Sequence, residues 1–329
     1  MKIAMDIGGA NIKIFDGNEY KQYYFPLWKK KNKFMSFLWQ LTEKTDLNAD
    51  MYAITMTAEL CDCFKDRREG VTFILNGLKE ILHSNRIFVL SNDTNFKLLD
   101  LDDAMKFPYS VASANFVATA RYISKFEKNA LIIDIGSTTA DIIPIKDGKI
   151  LAHTTDFERL KNGELIYTGV LRTNLISISN KVKFKGKNLK ISAEYFANTG
   201  DVYRVLGEIS ENEWTTETAD GKGKSIIECM RRIARTVCCD VSEGEIYETS
   251  ERKSKISKAD VTQIAKYFRD EQIKTINRAV ERLEKKYRIK NRLIIGAGKF
   301  LYDDLNASLK YEDLSAVKAL YFLTMDLQI

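Results

Sequence analysis

The sequence predicts an α/β protein of two related lobes around a central cleft. Three observations carry this prediction. The chain has 329 residues, more than one small hydrophobic core accommodates, and this length suits two domains of moderate size. Strand-like and helix-like apolar patterns alternate along it, as in a mixed sheet flanked by helices. A unit of strand, Asp-Ile-Gly loop and strand occurs twice, at Asp6 and again at Asp134.

The first half of the chain begins with three predicted strands joined by tight turns. These strands are Lys2–Ile7, Asn11–Phe15 and Tyr20–Phe25, with Gly8-Gly9 in the first turn. Apolar periodicity predicts the elements that follow: helices at Phe34–Leu41 and Gly70–Leu82, and strands at Tyr52–Thr57 and Arg86–Leu90.

The second half repeats the opening pattern and then becomes mainly helical. A helix at Ser113–Phe126 precedes strands at Ala130–Asp134, Ala140–Ile145 and Lys149–His153. Gly163–Asn174 is irregular, and Glu243–Lys253 is a polar, exposed loop. The remaining predicted elements are helices at Ser192–Gly207, Lys224–Cys239, Lys258–Lys286, Phe300–Leu305 and Leu314–Leu327, and a strand at Arg292–Ile295. We place the first lobe at 1–109 plus 310–329 and the second at 110–309.

The longest predicted helix, Lys258–Lys286, carries an apolar stripe on one face. A core helix explains this stripe, and a coiled-coil partner is the alternative.

Composition excludes several classes of function. The net charge of +6 is spread over many Lys and Glu, so we expect a solvated surface and no nucleic-acid partner. No apolar run is long enough to span a membrane, and Asp6 interrupts the N-terminal apolar stretch, unlike a signal peptide. We therefore expect a cytoplasmic protein without a membrane partner.

Cysteine and histidine usage narrows the chemistry further. The five cysteines have no zinc spacing, and we expect buried free thiols, with Cys61 and Cys63 on one face of a strand. Only His83 and His153 are present, which excludes a His-rich metal site and argues against a Ser-His-Asp triad.

The two Asp-Ile-Gly loops are the strongest chemical signal. Glycine turns after strands expose backbone N–H groups that bind phosphate oxygens. The predicted donors are Gly8, Gly9, Asn11, Gly136, Ser137, Thr138 and Thr139. Asp6 and Asp134 would hold Mg²⁺, which keeps most of its water and needs only one or two carboxylates beside phosphate oxygens. Lys13 adds a positive charge if it points inward, and otherwise it is a solvated strand residue.

A third glycine turn, Gly296-Ala297-Gly298, lies between a strand and a helix. It could pack against a nucleotide or another extended group. Because it lacks a third glycine at Rossmann spacing and a downstream ribose-binding acid, we reject a dinucleotide site.

The order of these motifs resembles that of the actin, sugar kinase and Hsp70 ATPases, with phosphate loops at 6–13 and 134–141 and a glycine loop at 293–299. Over nearly the whole chain the sequence is similar to the hydantoinase A/oxoprolinase-related proteins linked to tetrahydromethanopterin C1 metabolism in methanogens and methylotrophs. The matching stretches are Asp6–Lys13, Phe25–Lys29, Met56–Leu60, Ser113–Ala120, Asp134–Asp141, Gly163–Val170 and Thr218–Gly221. One departure is Phe116, where a Trp is common in the family.

The resemblance implies an actin-like, ribonuclease H-like fold and a transferase of methanofuran biosynthesis. Such an enzyme displaces diphosphate from an aminomethylfuran-methanol diphosphate with the phenol oxygen of γ-glutamyltyramine, without using ATP. The implied partners are a phosphorylated small molecule and a phenolic acceptor, and a homodimer is left open. The alternatives are an ATP-dependent small-molecule kinase, an oxoprolinase- or hydantoinase-like hydrolase, and a polymerising scaffold.

The resemblance also suggests roles for residues outside the loops. Glu59 and Asp156 are candidate general bases for the phenol, although turn and capping roles explain them equally well. Arg159, Glu164 and Arg172 lie in a motif-dense region and would contact the glutamyl end of the acceptor, with surface ion pairs as the alternative. Gly296 and Gly298 would also contact substrate.

Overall fold

The computed structural model describes residues 1–45, 49–82, 86–242 and 255–325. The predicted loop Glu243–Lys253 and His83 lie outside these residues.

Fifteen strands and eleven helices occur in the described part of the chain. The strands are β1 (Lys2–Ile7), β2 (Asn11–Phe15), β3 (Tyr20–Tyr24), β4 (Met51–Met56), β5 (Ile87–Leu90), β6 (Leu98–Asp100), β7 (Ala130–Ile135), β8 (Ala140–Lys146), β9 (Lys149–Ile150), β10 (Leu165–Ile166), β11 (Lys181–Phe184), β12 (Lys187–Lys190), β13 (Asp240–Val241), β14 (Lys255–Ile256) and β15 (Arg292–Ile295). The helices are α1 (Leu27–Lys30), α2 (Phe34–Thr45), α3 (Arg67–Ile81), α4 (Leu101–Lys106), α5 (Asn115–Ser124), α6 (Asp156–Lys161), α7 (Leu175–Ile178), α8 (Thr199–Leu206), α9 (Ile226–Thr236), α10 (Lys258–Tyr287) and α11 (Ala316–Met325). Short 3-10 helices occur at Lys31–Lys33, Ala58–Leu60, Pro108–Ser110 and Lys299–Leu301.

The first sheet has the strand order β3-β2-β1-β4-β5-β6. Strands β1 and β2 form an antiparallel hairpin whose turn is Gly8-Gly9, and β4 and β5 continue the sheet in parallel from β1. Residues 3–7 of β1 are fully buried because helices cover both faces of the sheet here, as is typical of parallel strands.

The second sheet repeats this pattern in the order β10-β8-β7-β15, with β9 paired to β8. Strands β7 and β8 form the hairpin, and β15 pairs in parallel with β7. Asp6 lies opposite Lys13 in the first hairpin, and Asp134 lies opposite Asp141 at the equivalent position of the second. The internal repeat seen in the sequence is therefore a structural repeat.

Two helices connect the sheets. Helix α11 packs on β1 and β2, α5 packs on β8 and β9, and the two helices pack against each other in a shared apolar cluster. The two-lobed α/β architecture of the actin-like fold is thus confirmed, whereas the residue boundaries of the lobes remain as proposed from the sequence.

Most predicted elements occur within a few residues of their expected bounds, but three expectations are wrong. The helix predicted over Ser192–Gly207 begins only at Thr199, where Asn198 and Asp201 form a capping box. The predicted helix Phe300–Leu305 is a 3-10 helix over Lys299–Leu301. Cys61 and Cys63 follow the 3-10 helix Ala58–Leu60 in a loop, not a strand.

The thiols are less buried than expected. Cys229 is buried, whereas Cys61, Cys63 and Cys239 are half-buried and Cys238 is exposed.

Helix α10 is a core helix, as the first interpretation predicted. Most of its apolar stripe, including Ile264, Phe268 and Ile276, is fully buried within the second half of the molecule. Among the described residues, no helix is both long enough and apolar enough to cross a bilayer.

Candidate active site

The two glycine loops face one cleft with a volume of about 860 Å³. The structure brings together most of the residues predicted from the sequence on the wall of this cleft. They are Asp6, Gly8, Gly9, Asn11, Lys13, Asp134, Gly136, Ser137, Thr138, Thr139, Asp156, Arg159, Arg172 and Gly296. Glu59, Glu164 and Gly298 do not line the cleft.

The first loop is closed by a backbone hydrogen bond from Gly8 N–H to the carbonyl oxygen of Asn11, 2.9 Å long. A Cβ atom at Gly8 would lie 2.8 Å from that same oxygen, so a side chain would force the turn to open. The Asn11 side chain is buried, and its Oδ1 has no hydrogen-bond partner within the described ranges. This unsatisfied oxygen is available to a ligand or a water molecule.

The second loop has the same closure, from Gly136 N–H to the carbonyl oxygen of Thr139 at 2.8 Å. The segment Gly169–Arg172 supports it from behind. The backbone N–H of Val170 donates to Gly136, and those of Leu171 and Arg172 donate to Ser137. A Cβ atom at Gly169 would lie 2.4 Å from Ser137 C and Thr138 N, so glycine is required for this close approach.

Asp6 and Lys13 form an ion pair on the cleft wall. Lys13 Nζ donates to Asp6 Oδ2 at 3.1 Å, and the Asp6 side chain is only 4% exposed. The charge of Asp6 raises the pKa of Lys13, so this lysine is positively charged. The inward orientation proposed for Lys13 is the one observed, since Lys13 lines the cleft.

Asp134 has the most unusual electrostatic environment of the predicted acids. Burial, together with repulsion from Asp141 and Asp6, raises the pKa of Asp134 to about 7, against an opposing effect of Lys13. Burial and the neighbouring acids therefore outweigh the nearby Lys13 and Arg159 and favour the protonated form of Asp134.

These residues fit a divalent cation. In the described part of the chain, no group of three or more His, Cys, Asp or Glu side chains could hold a metal ion. Mg²⁺ does not need such a group, because it keeps several waters and binds one or two carboxylates together with substrate phosphates. Asp6 Oδ1 is buried without a hydrogen-bond partner among the described residues, and Asp134 lies at the equivalent position of the second hairpin.

Arg159 is held deep in the cleft wall. Its guanidinium donates to Asp141 Oδ1 at 2.6 Å and lies 3.8 Å from the centroid of the Phe116 ring. The side chain is 2% exposed, which contradicts the alternative of a surface ion pair. Phe116 thus supplies the aromatic face beneath this arginine.

Arg172 lies at another part of the cleft and stacks on Trp28. The centre of its guanidinium is 4.5 Å from the centroid of the Trp28 ring, and Nη1 donates to Thr138 Oγ1 at 3.4 Å. The contact joins the segment after the first hairpin to the second phosphate loop.

The structure places Glu164 away from the proposed acceptor site. Its fully buried carboxylate accepts from the backbone N–H of His153 and lies 2.8 Å from His153 Nδ1. Glu164 therefore fixes the segment that leads into α6. Its carboxylate is thus paired within the fold and does not line the cleft, unlike the substrate contact expected from the sequence.

The glycines of the third turn differ in position. Gly296 has a φ of +85°, and a Cβ atom there would lie 2.5 Å from Asp134 Oδ1. Gly298 packs against Ile135: a Cβ atom added at Gly298 would lie only 2.6 Å from the Ile135 side chain. Gly296 thus borders the acidic end of the cleft, while Gly298 serves the packing of β15 against β7.

Both candidate bases are found at one junction. Ser113 Oγ lies 2.8 Å from Glu59 Oε1 and 2.7 Å from Asp156 Oδ2. Glu59 is fully buried, and burial raises the pKa of its carboxyl to about 7. Asp156 lines the cleft and accepts from Arg67 Nη2 at 3.1 Å.

Sequence reasoning missed Ser113 and Asp141. Both lie in stretches that carry the family resemblance, at Ser113–Ala120 and Asp134–Asp141. Asp141 also has a positional signal, since it aligns with Lys13 in the internal repeat. Ser113 has no such positional signal, because its hydrogen-bond partners are distant in the sequence.

Comparisons with known proteins agree with the sequence-based family. The family model described as hydantoinase/oxoprolinase matches residues 50–319. A Methanocaldococcus jannaschii protein named (4-{4-[2-(gamma-L-glutamylamino)ethyl]phenoxymethyl}furan-2-yl)methanamine synthase is 35% identical over 309 residues, which are 92% of this chain and 88% of that protein. A Methanococcus vannielii protein of the same name is 38% identical over 186 residues, covering 56% of this chain and 78% of that protein.

Solved structures are more distant. The ethanolamine utilization protein EutJ from Carboxydothermus hydrogenoformans is 14% identical with a TM-score of 0.45, and the match covers 97% of this chain and 88% of that one. An inorganic polyphosphate/ATP-glucomannokinase from Arthrobacter sp. strain KM is 12% identical with a TM-score of 0.40, covering 99% and 98%. On the extent of the family match and of the first relative, this chain belongs to the hydantoinase/oxoprolinase family.

Proposed function

We propose that this protein is a transferase of methanofuran biosynthesis. It joins an aminomethylfuran-methanol diphosphate to the phenol oxygen of γ-glutamyltyramine, forming an aryl ether and releasing diphosphate. The name of the relative that aligns with 92% of this chain describes such a product, in which a phenoxymethyl link joins a furan methanamine to a γ-glutamylaminoethyl-bearing ring.

The observation that carries the proposal is the convergence of both glycine loops on one cleft, with Lys13 paired to Asp6 on its wall. A diphosphate offers enough oxygen atoms to engage both loops at once. The backbone N–H groups of Gly9, Ser137 and Thr138 and the Lys13 ammonium would stabilise it, because they place positive charge next to its oxygens. The N–H groups of Gly8 and Gly136, predicted as donors from the sequence, instead donate within their own loops. This arrangement suits a diphosphate whether it belongs to a nucleotide or to another substrate, and the name of the relative supports the furan diphosphate.

The same groups favour the chemical step. Negative charge builds up on the leaving oxygen as the bond from the furan CH₂ group to diphosphate breaks. Donors aimed at that oxygen then bind the transition state more tightly than the ground state. When bound by Asp6 and Asp134, Mg²⁺ would add a further positive charge beside the leaving group.

The acceptor needs a base and a binding surface. A phenol has a pKa of about 10, so removal of its proton assists its attack near neutral pH. Asp156 lies on the cleft wall, while Trp28, Arg172 and Tyr167 provide aromatic and cationic surface for the phenolic ring and the glutamyl carboxylate.

The proposal is tested with purified protein, Mg²⁺, the furan diphosphate and γ-glutamyltyramine. We expect one coupled product by mass spectrometry and one diphosphate per product. In a parallel reaction, Mg-ATP replaces the furan diphosphate. Phosphorylation of the acceptor or substrate-stimulated ADP release, with no ether in the first reaction, would contradict the proposal in favour of an ATP-using enzyme.

The metal assignment has a separate test. Asp6→Asn and Asp134→Asn each keep the shape of the side chain but remove its charge, so we expect loss of turnover with an unchanged circular dichroism spectrum. Mg²⁺-dependent binding of inorganic diphosphate, measured by calorimetry, should be lost in both. Wild-type binding in both variants would refute the assignment.

A further inference from the structure

Three side chains distant in the sequence meet beside the cleft. The hydroxyl oxygen of Ser113 lies between two carboxyl oxygens, 2.8 Å from Glu59 Oε1 and 2.7 Å from Asp156 Oδ2. Ser113 has a φ of +50°, a left-handed conformation that side-chain-bearing residues rarely adopt. Such a conformation persists only where the surroundings impose it, and here it places the hydroxyl between the two acids.

The geometry requires an additional proton. A serine hydroxyl has one hydrogen and can donate to only one of the two carboxyl groups. A contact of 2.7 or 2.8 Å between two oxygens that both lack a hydrogen would be repulsive. One carboxyl group must therefore be protonated and donate to Ser113, while Ser113 donates to the other.

Burial decides which carboxyl group holds this proton. Glu59 is fully buried, and its Oε2 has no hydrogen-bond partner among the described residues. Helix α3 packs closely against the backbone of Glu59 and contributes to this burial. A Cβ atom added at Gly70 of α3 would lie 2.4 Å from the Glu59 carbonyl oxygen. Burial raises the pKa of Glu59 to about 7. Asp156 instead receives the Arg67 hydrogen bond at 3.1 Å and is 15% exposed on the cleft side.

Other charged groups face the pair from several elements. Arg67 begins α3, and Arg159 Nη1 lies 4.0 Å from Asp156 Oδ1, so two guanidinium groups lie beside the Asp156 carboxyl group. The remaining titratable neighbours of the pair are Asp141, Tyr167 and Cys61.

We propose that Glu59, Ser113 and Asp156 form a proton-sharing relay in which Asp156 is the general base for the hydroxyl group of the acceptor. Ser113 and Glu59 are positioning residues that act through Asp156. This inference rests on the proposed function, because the acceptor hydroxyl belongs to the transferase reaction.

The step balances without another reactant. The acceptor O–H bond breaks and its proton moves to Asp156 Oδ1, the carboxyl oxygen that does not face Ser113. The electron pair left on the acceptor oxygen forms the bond to the furan CH₂ carbon. The bond from that carbon to diphosphate breaks, and its electrons leave on the diphosphate oxygen. Glu59 keeps its proton and, through Ser113, holds the Asp156 carboxylate in place.

The relay predicts a graded set of losses in kcat. Asp156→Asn removes the base and should lower kcat by about 10²- to 10⁴-fold. Ser113→Ala removes a hydrogen bond to a charged group and should lower kcat by roughly 10-fold or more, with the KM for the acceptor changed less than about twofold. Ser124→Ala is the control for loss of a serine hydroxyl, since Ser124 is buried away from the cleft and, among the described residues, its hydroxyl donates to the Arg121 carbonyl oxygen.

Glu59 gives the sharpest test because its two variants differ in hydrogen bonding. The amide of Glu59→Gln can donate to Ser113 as the protonated acid does, so this variant should be less impaired than Glu59→Leu. Wild-type Glu59 loses its proton above about pH 7, whereas the amide cannot. The ratio of kcat in Glu59→Gln to kcat in wild type should therefore rise between pH 6 and 8.5, and this ratio cancels the ionisation of the phenol.

Three kinetic outcomes would overturn the relay. They are a ratio that is flat or falls with pH, a Glu59→Gln variant as inactive as Asp156→Asn, and an Asp156→Asn variant with wild-type kcat. Glu59→Gln keeps the side-chain volume, so it remains informative if Glu59→Leu does not fold.

A spectroscopic readout separates failure of the relay from failure of the proposed function. Infrared titration should show a protonated carboxyl band in the difference between wild type and Glu59→Gln, and this band should disappear near pH 7. Asp134 titrates in the same range in both proteins, so its contribution cancels in this difference. If this band is observed but no ether product forms, the shared proton is present and the proposed transferase activity is refuted. Absence of the band from this difference would overturn the relay whatever the activity.

Discussion

Lys13 Nζ lies 3.1 Å from Asp6 Oδ2, directly across the hairpin that carries the first phosphate loop. At the equivalent position of the second hairpin the residue opposite Asp134 is another acid, Asp141. The two phosphate loops are therefore related in backbone but differ in charge, and Lys13 supplies the cation on only one side of the cleft.

Lys13→Met should weaken diphosphate binding because it removes a charged donor next to the ligand and leaves Asp6 without its cation. A hydrogen bond to a charged group contributes about 1.5–3 kcal/mol, so we expect a roughly 10- to 100-fold higher Kd for diphosphate. Isothermal titration calorimetry with Mg²⁺ and diphosphate measures this. Lys21→Met is the control, since Lys21 pairs with Glu19 outside the cleft. Equal affinities of the two variants would contradict the role of Lys13.

The environment of Asp134 predicts how stability depends on pH. The pKa of Asp134 is about 7 in the folded chain, chiefly because of burial, against about 3.9 when unfolded. The folded state keeps this proton where the unfolded state has released it. This stabilisation of the folded state is complete below about pH 4. As the pH rises from about 4 to 7 it is lost, and the free energy of unfolding falls by up to about 1.4 kcal/mol per pH unit.

Urea unfolding at pH 5, 6 and 7.5 in the absence of divalent cations measures this slope. Asp134→Asn should reduce it, because the amide does not titrate. Glu59 contributes a slope of the same sign, so the reduction will be partial. Asp103→Asn, at an exposed position on α4, should leave the slope unchanged. Identical slopes in wild type and Asp134→Asn would show that Asp134 titrates normally.

Gly169 and Gly136 should respond differently to alanine. At Gly169 the new Cβ would lie 2.4 Å from the backbone of the second phosphate loop, whereas at Gly136 its nearest contact is an ordinary 3.5 Å to the Thr139 carbonyl oxygen. We expect Gly169→Ala to lower the free energy of unfolding by about 1–3 kcal/mol. Gly136→Ala should leave it unchanged or raise it slightly. Thermal or urea unfolding compares them, and a destabilised Gly136→Ala beside a wild-type-like Gly169→Ala would contradict the packing described.

The stack of Arg172 on Trp28 should couple the two sides of the cleft. A double-mutant cycle with Trp28→Leu and Arg172→Gln should give an interaction energy of about 0.5–2 kcal/mol in urea unfolding. Both single variants should raise the KM for the acceptor. The pair Arg68 and Tyr109, with a cation-to-ring distance of 5.6 Å and an exposed ring, is the control. A coupling energy no larger than that of the control would show that the stack contributes little.

The fold was accessible from the sequence because its signals are local. Residues within one strand or one hairpin are close in the chain, so alternation and turn residues specify them directly. The repeat at Asp6 and Asp134 predicted both hairpins and the convergence of their loops. Where the helix expectation failed, at 192–198, the capping box of Asn198 and Asp201 set a later start than apolar content suggested.

Tertiary structure alone decided what the polar side chains outside the loops do. Glu164 was assigned to substrate from the sequence, yet folding buries it against His153. Ser113 lies in a stretch that carries the family resemblance, but its local pattern did not indicate its two partners, which are 54 and 43 residues away along the chain. A hydrogen bond between such residues depends on how helices and loops of different segments pack. The sequence by itself therefore determined the two Asp-Ile-Gly loops, and packing determined which polar side chains meet beside them.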